Sequence, residues 1–271
     1  MNTKQLLLSV VLLMLVATGF GQVQQKKQVV AAPDTISIDA TTTCKLTFTS
    51  GGAPNFLKFC VTGNGNIVQF TSPNGFEHVR EGTILEGYSI CDFGSLTRYY
   101  DFANSDSGNW QPAILTGVKL PLTIKRTTSD GIYTLTQVIS RNTVDPAVII
   151  SMTLKNNTAA SHDFALVRYM DVDANNANGG TFNNWFDYDR ESAWGYNNGF
   201  NLFGVMEYAV PTAQPHFAFV QNVAGFPDSC SPIANLPSST PWFGDGSVGI
   251  DWNGTLGASK SIKVANEYRR F

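Results

Sequence analysis

From about Thr35 onward, apolar and polar residues alternate with a period of two along most of this chain. Val118, Leu120, Leu122 and Ile124 interleave with Lys119, Pro121, Thr123 and Lys125. Val148, Ile150, Met152 and Leu154 interleave with Ile149, Ser151, Thr153 and Lys155. A strand sends successive side chains to opposite faces, so this period predicts strands with one face buried. The stretch His162 to Val172 differs, because Phe164, Leu166, Met170 and Val172 share one face and Ala165, Val167 and Tyr169 the other. Two apolar faces predict a central strand between layers. Near the end, Ile262, Val264 and Tyr268 alternate with Lys263, Glu267 and Arg269, as a closing strand would.

Turn chemistry separates these runs at Gly63-Asn64-Gly65-Asn66, Pro73-Asn74-Gly75, Asp130-Gly131 and Asn156-Asn157. No long window carries a capped helical stripe, and no fixed-period repeat suggests a propeller or solenoid. The expectation is an all-β fold: a large antiparallel β-sandwich of a dozen or more strands, enlarged in the manner of a supersandwich. Two stretches break the pattern. Asp173 to Asn184 is rich in Asn and Gly, and Asn222 to Ser247 carries Pro227, Pro232, Pro237 and Pro241. Loops this long are uncommon unless functional or tethered, and Cys230 inside the second favours a tether.

The first residues follow another logic. Lys4 precedes an apolar run of twelve residues, Leu6 to Ala17, with Gly19 and Gly21 beyond it. That run is shorter than the roughly 20 residues a membrane-spanning helix needs, but it fits a secretory signal. The expected organisation is a signal peptide over 1–21, a flexible lead-in over 22–33 and a single β-sandwich domain over 34–271. The mature chain is expected to be secreted or periplasmic, with no membrane span.

Composition narrows the function. Charged residues are only 14% and aromatics 12% of the chain, which excludes a disordered solvating chain. A net charge of −3 leaves no basic footprint, so a nucleic-acid partner is not expected. Four cysteines in an oxidising compartment predict two disulfides. Cys44–Cys60 with Cys91–Cys230 is the preferred pairing, since the first pair brackets the turn Gly51-Gly52-Ala53-Pro54. One tension attends it: Cys44 is in phase with Leu46 and Phe48, but Cys60 with Lys58, so a bulge is required if they are bonded.

Motifs for nucleophilic, zinc or nucleotide chemistry are missing, and His78, His162 and His216 are scattered. Asp171, Asp173 and Asn175 form a D-x-D-x-N series that offers hard oxygens to calcium, although Asn176 and Phe182 depart from the EF-hand pattern. Asp187, Asp189 and Glu191 recur at spacing two; in an extended strand they would share a solvated face. Trp185, Phe186, Tyr188, Trp194, Tyr196 and Phe200 crowd the same region. Trp185, Trp194 and Tyr196 are the candidate binding residues, because flat rings with a polar tip stack on sugars or anchor proteins. Asp101, Asp106 and Trp110 read as an exposed polar–aromatic loop. Asn156-Asn157-Thr158 and Asn253-Gly254-Thr255 match the glycosylation acceptor pattern.

Together these features predict a secreted, non-catalytic β-sandwich that binds an extracellular ligand, glycan or protein, through the region Asp171 to Phe200. The alternatives are a carbohydrate-active enzyme working with paired carboxylates from Asp171, Asp173, Asp187, Asp189 or Glu191, and an extracellular assembly subunit.

Overall fold

The computed structural model describes residues 41–80, 85–174, 184–197, 203–222, 229–230 and 242–270. Strands are numbered in chain order. The largest sheet has nine, in the spatial order β15 (Trp242–Gly244), β11 (Asn184–Tyr188), β12 (Ser192–Asn197), β13 (Phe203–Ala209), β17 (Ser261–Arg270), β9 (Ala147–Asn156), β8 (Tyr133–Arg141), β7 (Leu122–Thr127) and β6 (Ile114–Thr116). A five-stranded sheet follows the order β14 (His216–Asn222), β16 (Gly246–Leu256), β10 (His162–Asp171), β4 (Glu86–Asp92) and β5 (Thr97–Asp101). A third sheet is the meander β1 (Leu46–Ser50), β2 (Leu57–Val61) and β3 (Ile67–Thr71). Every pairing is antiparallel, and the described residues contain no helix. The chain is thus the large antiparallel β-sandwich that its periodicity predicts.

All three sheets feed one core. Ile124, Leu135, Ile150, Met152, Val264 and Tyr268 come from the nine-stranded sheet, Ile90, Leu166, Met170, Ile250 and Trp252 from the five-stranded one, and Leu57, Phe59 and Phe70 from the meander. β10 is the middle strand of its sheet, and its second apolar face carries a separate cluster: Val167 and Tyr169 pack with Leu85, Phe102 and Phe219. The predicted closing strand β17 lies inside the nine-stranded sheet, between β13 and β9. The alternation beginning at Val118 is only half realised. β7 starts at Leu122, and Val118 is 70% exposed, because Pro121 has no N–H to give a ladder.

Two arginines cross the apolar core. Arg168 on β10 donates to Glu86 on β4, Gln137 on β8, the Gly65 carbonyl and the Tyr268 hydroxyl on β17. Arg126 on β7 donates to Asp101 (2.6 Å) and Asp106 (2.8 Å) and lies over the Trp110 ring, 5.1 Å from its centroid. Each side chain in these ion pairs is at most 1% exposed. Asp101, Asp106 and Trp110 are therefore core residues and not the exposed loop their Gly- and Ser-rich setting suggests.

The disulfides join Cys44 to Cys60 and Cys91 to Cys230. Cys44 precedes β1, where strict alternation has not begun, and the β2–β3 register shifts between Cys60 and Val61. The β1–β2 register itself is unbroken, so it is the place of Cys44 ahead of β1 that frees it from the Leu46 and Phe48 face. Cys230 is pinned to the outer face of β4, and the adjacent Ser229 hydroxyl bonds that of Ser89 at 2.7 Å.

Candidate functional site

β11, β12 and β13 turn one face to the core and the other away from it. Phe186, Ala193 and Val205 point inward and are fully buried. Gly195 is required there: a β-carbon at that position would stand 2.6 Å from the Phe186 ring. The opposite face holds the predicted binding residues in direct register. Trp185 pairs across strands with Tyr196 on one side and with Phe243 of β15 on the other, and Asp187 pairs with Trp194, which pairs with Met206. Trp185, Trp194, Tyr196 and Asp187 are half-buried, Phe243 is 56% exposed, and the Trp185 and Phe243 ring centroids lie 5.4 Å apart. Phe243, Trp185 and Tyr196 thus form a row across three adjacent strands, roughly 5 Å per step, with Trp194 one row below.

The neighbouring acids have other duties. β11 ends at Tyr188, so Asp189 and Glu191 lie in a turn and not on a strand face. Asp189 accepts from the Glu191 and Ser192 backbone N–H groups and the Ser192 hydroxyl, which closes the β11–β12 turn. Glu191 meets the His216 ring at 2.7 Å. No alternating acidic face results.

Asp171 and Asp173 sit apart from the aromatic face, at the end of β10. Both are buried. Burial first, then the charges of Asp173 and Asp245, hold the Asp171 carboxyl well above the usual carboxylate range. Asn175 lies outside the described residues, as do residues 1–33, the expected signal peptide and lead-in. Among the described residues, no three His, Cys, Asp or Glu side chains surround a single point as a metal would require.

The remaining polar groups include several that sequence reasoning missed. Asp251 on β16 is 6% exposed, its Oδ1 has no partner, and burial pushes its carboxyl up to about 7. Glu207 on β13 is fully buried and likewise raised well above its ordinary value, chiefly by desolvation. Within alternating strands such acids carry no local signal, because their cost depends on what packs above them. His162 bridges Asp92 (2.5 Å) and the Thr158 hydroxyl (3.0 Å). Thr158 also bonds Asn156 and Ala160, so this chain of hydrogen bonds braces the β9–β10 turn. His78 is buried, and desolvation lowers its pKa. Asn156 is not a glycan acceptor: it is fully buried and its amide donates to the Ala160, Leu256 and Gly257 carbonyls.

No family model and no curated protein sequence matches this chain. Solved structures do resemble it in shape. A bacterial glucoamylase complexed with acarbose aligns over 89% of this chain and 34% of that one, at 10% identity and a TM-score of 0.57. A heparan sulfate lyase from Pedobacter heparinus aligns over 89% and 37%, at 8% identity and a TM-score of 0.47. A galactose mutarotase-related enzyme from Lactobacillus acidophilus aligns over 83% and 97%, at 8% identity and a TM-score of 0.43. The chain spans about a third of the length of the first two. Among the described residues, no helix is long and apolar enough to cross a membrane. What the glucoamylase structure and this chain share is a fold, the large antiparallel β-sandwich.

Proposed function

We propose that this protein is an exported glycan-binding module whose contact surface is the outer face of β11, β12 and β13, extended by Phe243 on β15. The observation that supports the reading is the register itself. Trp185, Trp194, Tyr196 and Phe243, from three separate stretches of sequence, share one outward face with Asp187 among them. Adjacent rings provide flat apolar area for sugar faces, and polar tips and a carboxylate accept or donate to hydroxyls. Two disulfides fit the oxidising compartment that an export signal implies.

The test is native affinity electrophoresis and pull-down against a panel of soluble and insoluble polysaccharides. Each ring is expected to contribute about 1–2 kcal/mol, so Trp185→Ala and Trp194→Ala should each weaken binding roughly 5- to 30-fold. Retention by no polysaccharide, or undiminished retention of the Trp185→Ala/Trp194→Ala double variant, would sink the assignment.

A further inference from the structure

Asp92, Thr158 and His162 meet at the pole of the sandwich where β4 ends and β10 begins. The His162 ring lies between the other two, with Nδ1 2.5 Å from Asp92 Oδ2 and Nε2 3.0 Å from Thr158 Oγ1. Asp92 is itself held. Its Oδ2 also accepts from the Tyr133 hydroxyl at 3.0 Å, and its Oδ1 from the Ser95 N–H at 3.0 Å and the Ser95 hydroxyl at 3.2 Å. Against the penalty of burial, hydrogen bonds from Ser95, Tyr133 and His162 keep its carboxyl below the usual carboxylate range, so it stays ionised. A carboxylate only accepts. Nδ1 therefore carries the proton of the neutral ring, and Nε2 presents its lone pair to the Thr158 hydroxyl.

The side chain of Asp92 is 3% exposed and that of His162 18%, whereas Thr158 is half-buried with Ala159 and Ala160 exposed beside it. A buried carboxylate, a shielded imidazole and an accessible hydroxyl, joined in that order, are the arrangement that activates a hydroxyl as a nucleophile. Thr158 Oγ1 has other neighbours. It accepts from the Ala160 N–H at 3.2 Å, and Asn156 Oδ1 and Ala160 O stand 2.8 Å and 3.2 Å away. The hydroxyl has one proton, and of its three acceptors only Nε2 is basic enough to take it when the oxygen attacks. The N–H of Ala159, on the residue after the hydroxyl, makes no hydrogen bond among the described residues. It is left to serve a developing oxyanion.

We propose that Thr158, His162 and Asp92 form a hydrolytic triad that cleaves small acyl esters, the O-acetyl groups of a polysaccharide. Thr158 and His162 are the catalytic residues and Asp92 is a positioning residue. Thr158 Oγ1 attacks the ester carbonyl as its proton passes to His162 Nε2. The ester C–O bond then breaks, and the leaving sugar oxygen takes that proton. Water next attacks the acetyl-threonine and gives a proton to Nε2. The bond from the acetyl carbon to Oγ1 breaks, Oγ1 recovers the proton, and acetic acid leaves. Thr158 lies in a turn flanked by two alanines, which suits a small acyl group that projects from a larger carrier. That the carrier is a glycan rests on the reading above; the ester chemistry does not.

The experiment measures hydrolysis of p-nitrophenyl acetate and of acetylated xylan by the purified chain. The first ester needs no glycan surface, so it reads the triad whether or not any polysaccharide binds. Turnover above buffer is expected, with kcat falling roughly 10²–10⁴-fold in Thr158→Ala and His162→Gln and persisting in Thr158→Ser. Asp92→Asn should lower kcat and leave KM unchanged, because it disturbs the proton on the ring and not a substrate contact. A fluorophosphonate should add its mass to the tryptic peptide 156–168 of the wild type and not to that of Thr158→Ala. Melting curves identify any variant that fails to fold; if His162→Gln is one, the contrast between Thr158→Ala and Thr158→Ser decides. No turnover of either ester, or undiminished turnover in a folded Thr158→Ala, would overturn the triad. Turnover of p-nitrophenyl acetate without acetate release from xylan would overturn the polysaccharide substrate alone.

Discussion

Arg168 and Glu86 offer a quantitative test of what holds the two sheets together. Both side chains are fully buried, and Glu86 also accepts from the Tyr268 hydroxyl at 2.9 Å and from the Ile67 N–H. Glu86→Gln preserves shape but keeps only one of the two acceptor oxygens and leaves the guanidinium without its carboxylate. Removing one partner of a buried pair costs about 3–5 kcal/mol, out of a total stability of about 5–15 kcal/mol. At about 2–4 °C per kcal/mol for a chain of this size, Tm should fall by about 6–20 °C.

The reverse substitution behaves differently. Arginine cannot discharge itself, but a carboxylate can bind a proton, and burial already pushes that of Glu86 up. Arg168→Met removes the charge that opposes this rise. Below the unfolded pKa of glutamate, about 4.3, folded and unfolded states both carry the proton and no charge is stranded. As pH climbs from there through the raised folded value, the variant loses further stability. The loss in Arg168→Met should therefore be larger at pH 8 than at pH 4.5, while the loss in Glu86→Gln should shrink over the same span, because that variant lacks the raised carboxyl whose ionisation costs the wild type stability. Urea titrations of both variants at the two pH values read this directly. A loss below about 1 kcal/mol in Glu86→Gln, or a pH-independent loss in Arg168→Met, would refute the account. Glu207, itself acted on by Arg168, is a reserve carboxylate, and adding Glu207→Gln to Glu86→Gln should deepen the loss.

Two further outcomes are expected. Because burial raises the Asp251 carboxyl from 3.8 to about 7, its ionisation subtracts stability as pH rises through that window. Asp251→Asn should gain up to about 4 kcal/mol over wild type at pH 8.5 and nothing at pH 3.5, as read by denaturant titration. The Cys91–Cys230 bridge closes a segment of 139 residues and Cys44–Cys60 one of 16. Chain entropy then predicts losses of about 5 and about 3 kcal/mol for the paired Cys→Ser variants, and calorimetry of the two should rank them in that order.

The alternation of Val148 to Leu154 is legible as β9 because one face meets the core and the other meets water. The same signal misleads at Val118 to Leu120, where a proline without an N–H keeps the segment off the sheet. Trp185, Trp194 and Tyr196 were legible as a group because they crowd one stretch of sequence. Their alignment with Phe243 was not, since cross-strand register is set by partners far along the chain. Arg168 is hidden in sequence for a similar reason. Within an apolar strand it looks like an interruption, made tolerable by Glu86, 82 residues earlier, and by the other distant acceptors around it. Asp106 reads as solvated because glycine and serine surround it, yet Arg126 draws it into the core.

The position of β17 bears on how the protein is made. Its register covers nine residues of β9 and five of β13, so residues 261–270 join the β6–β9 half of the large sheet to the β11–β13 half. A chain emerging from its N-terminus holds both halves with facing open edges until this stretch arrives, and open edges invite pairing with other chains. Loss of this segment would do more than shorten the protein. It would divide the nine-stranded sheet in two, and it would remove Tyr268 from the Arg168 cluster that ties the sheets together.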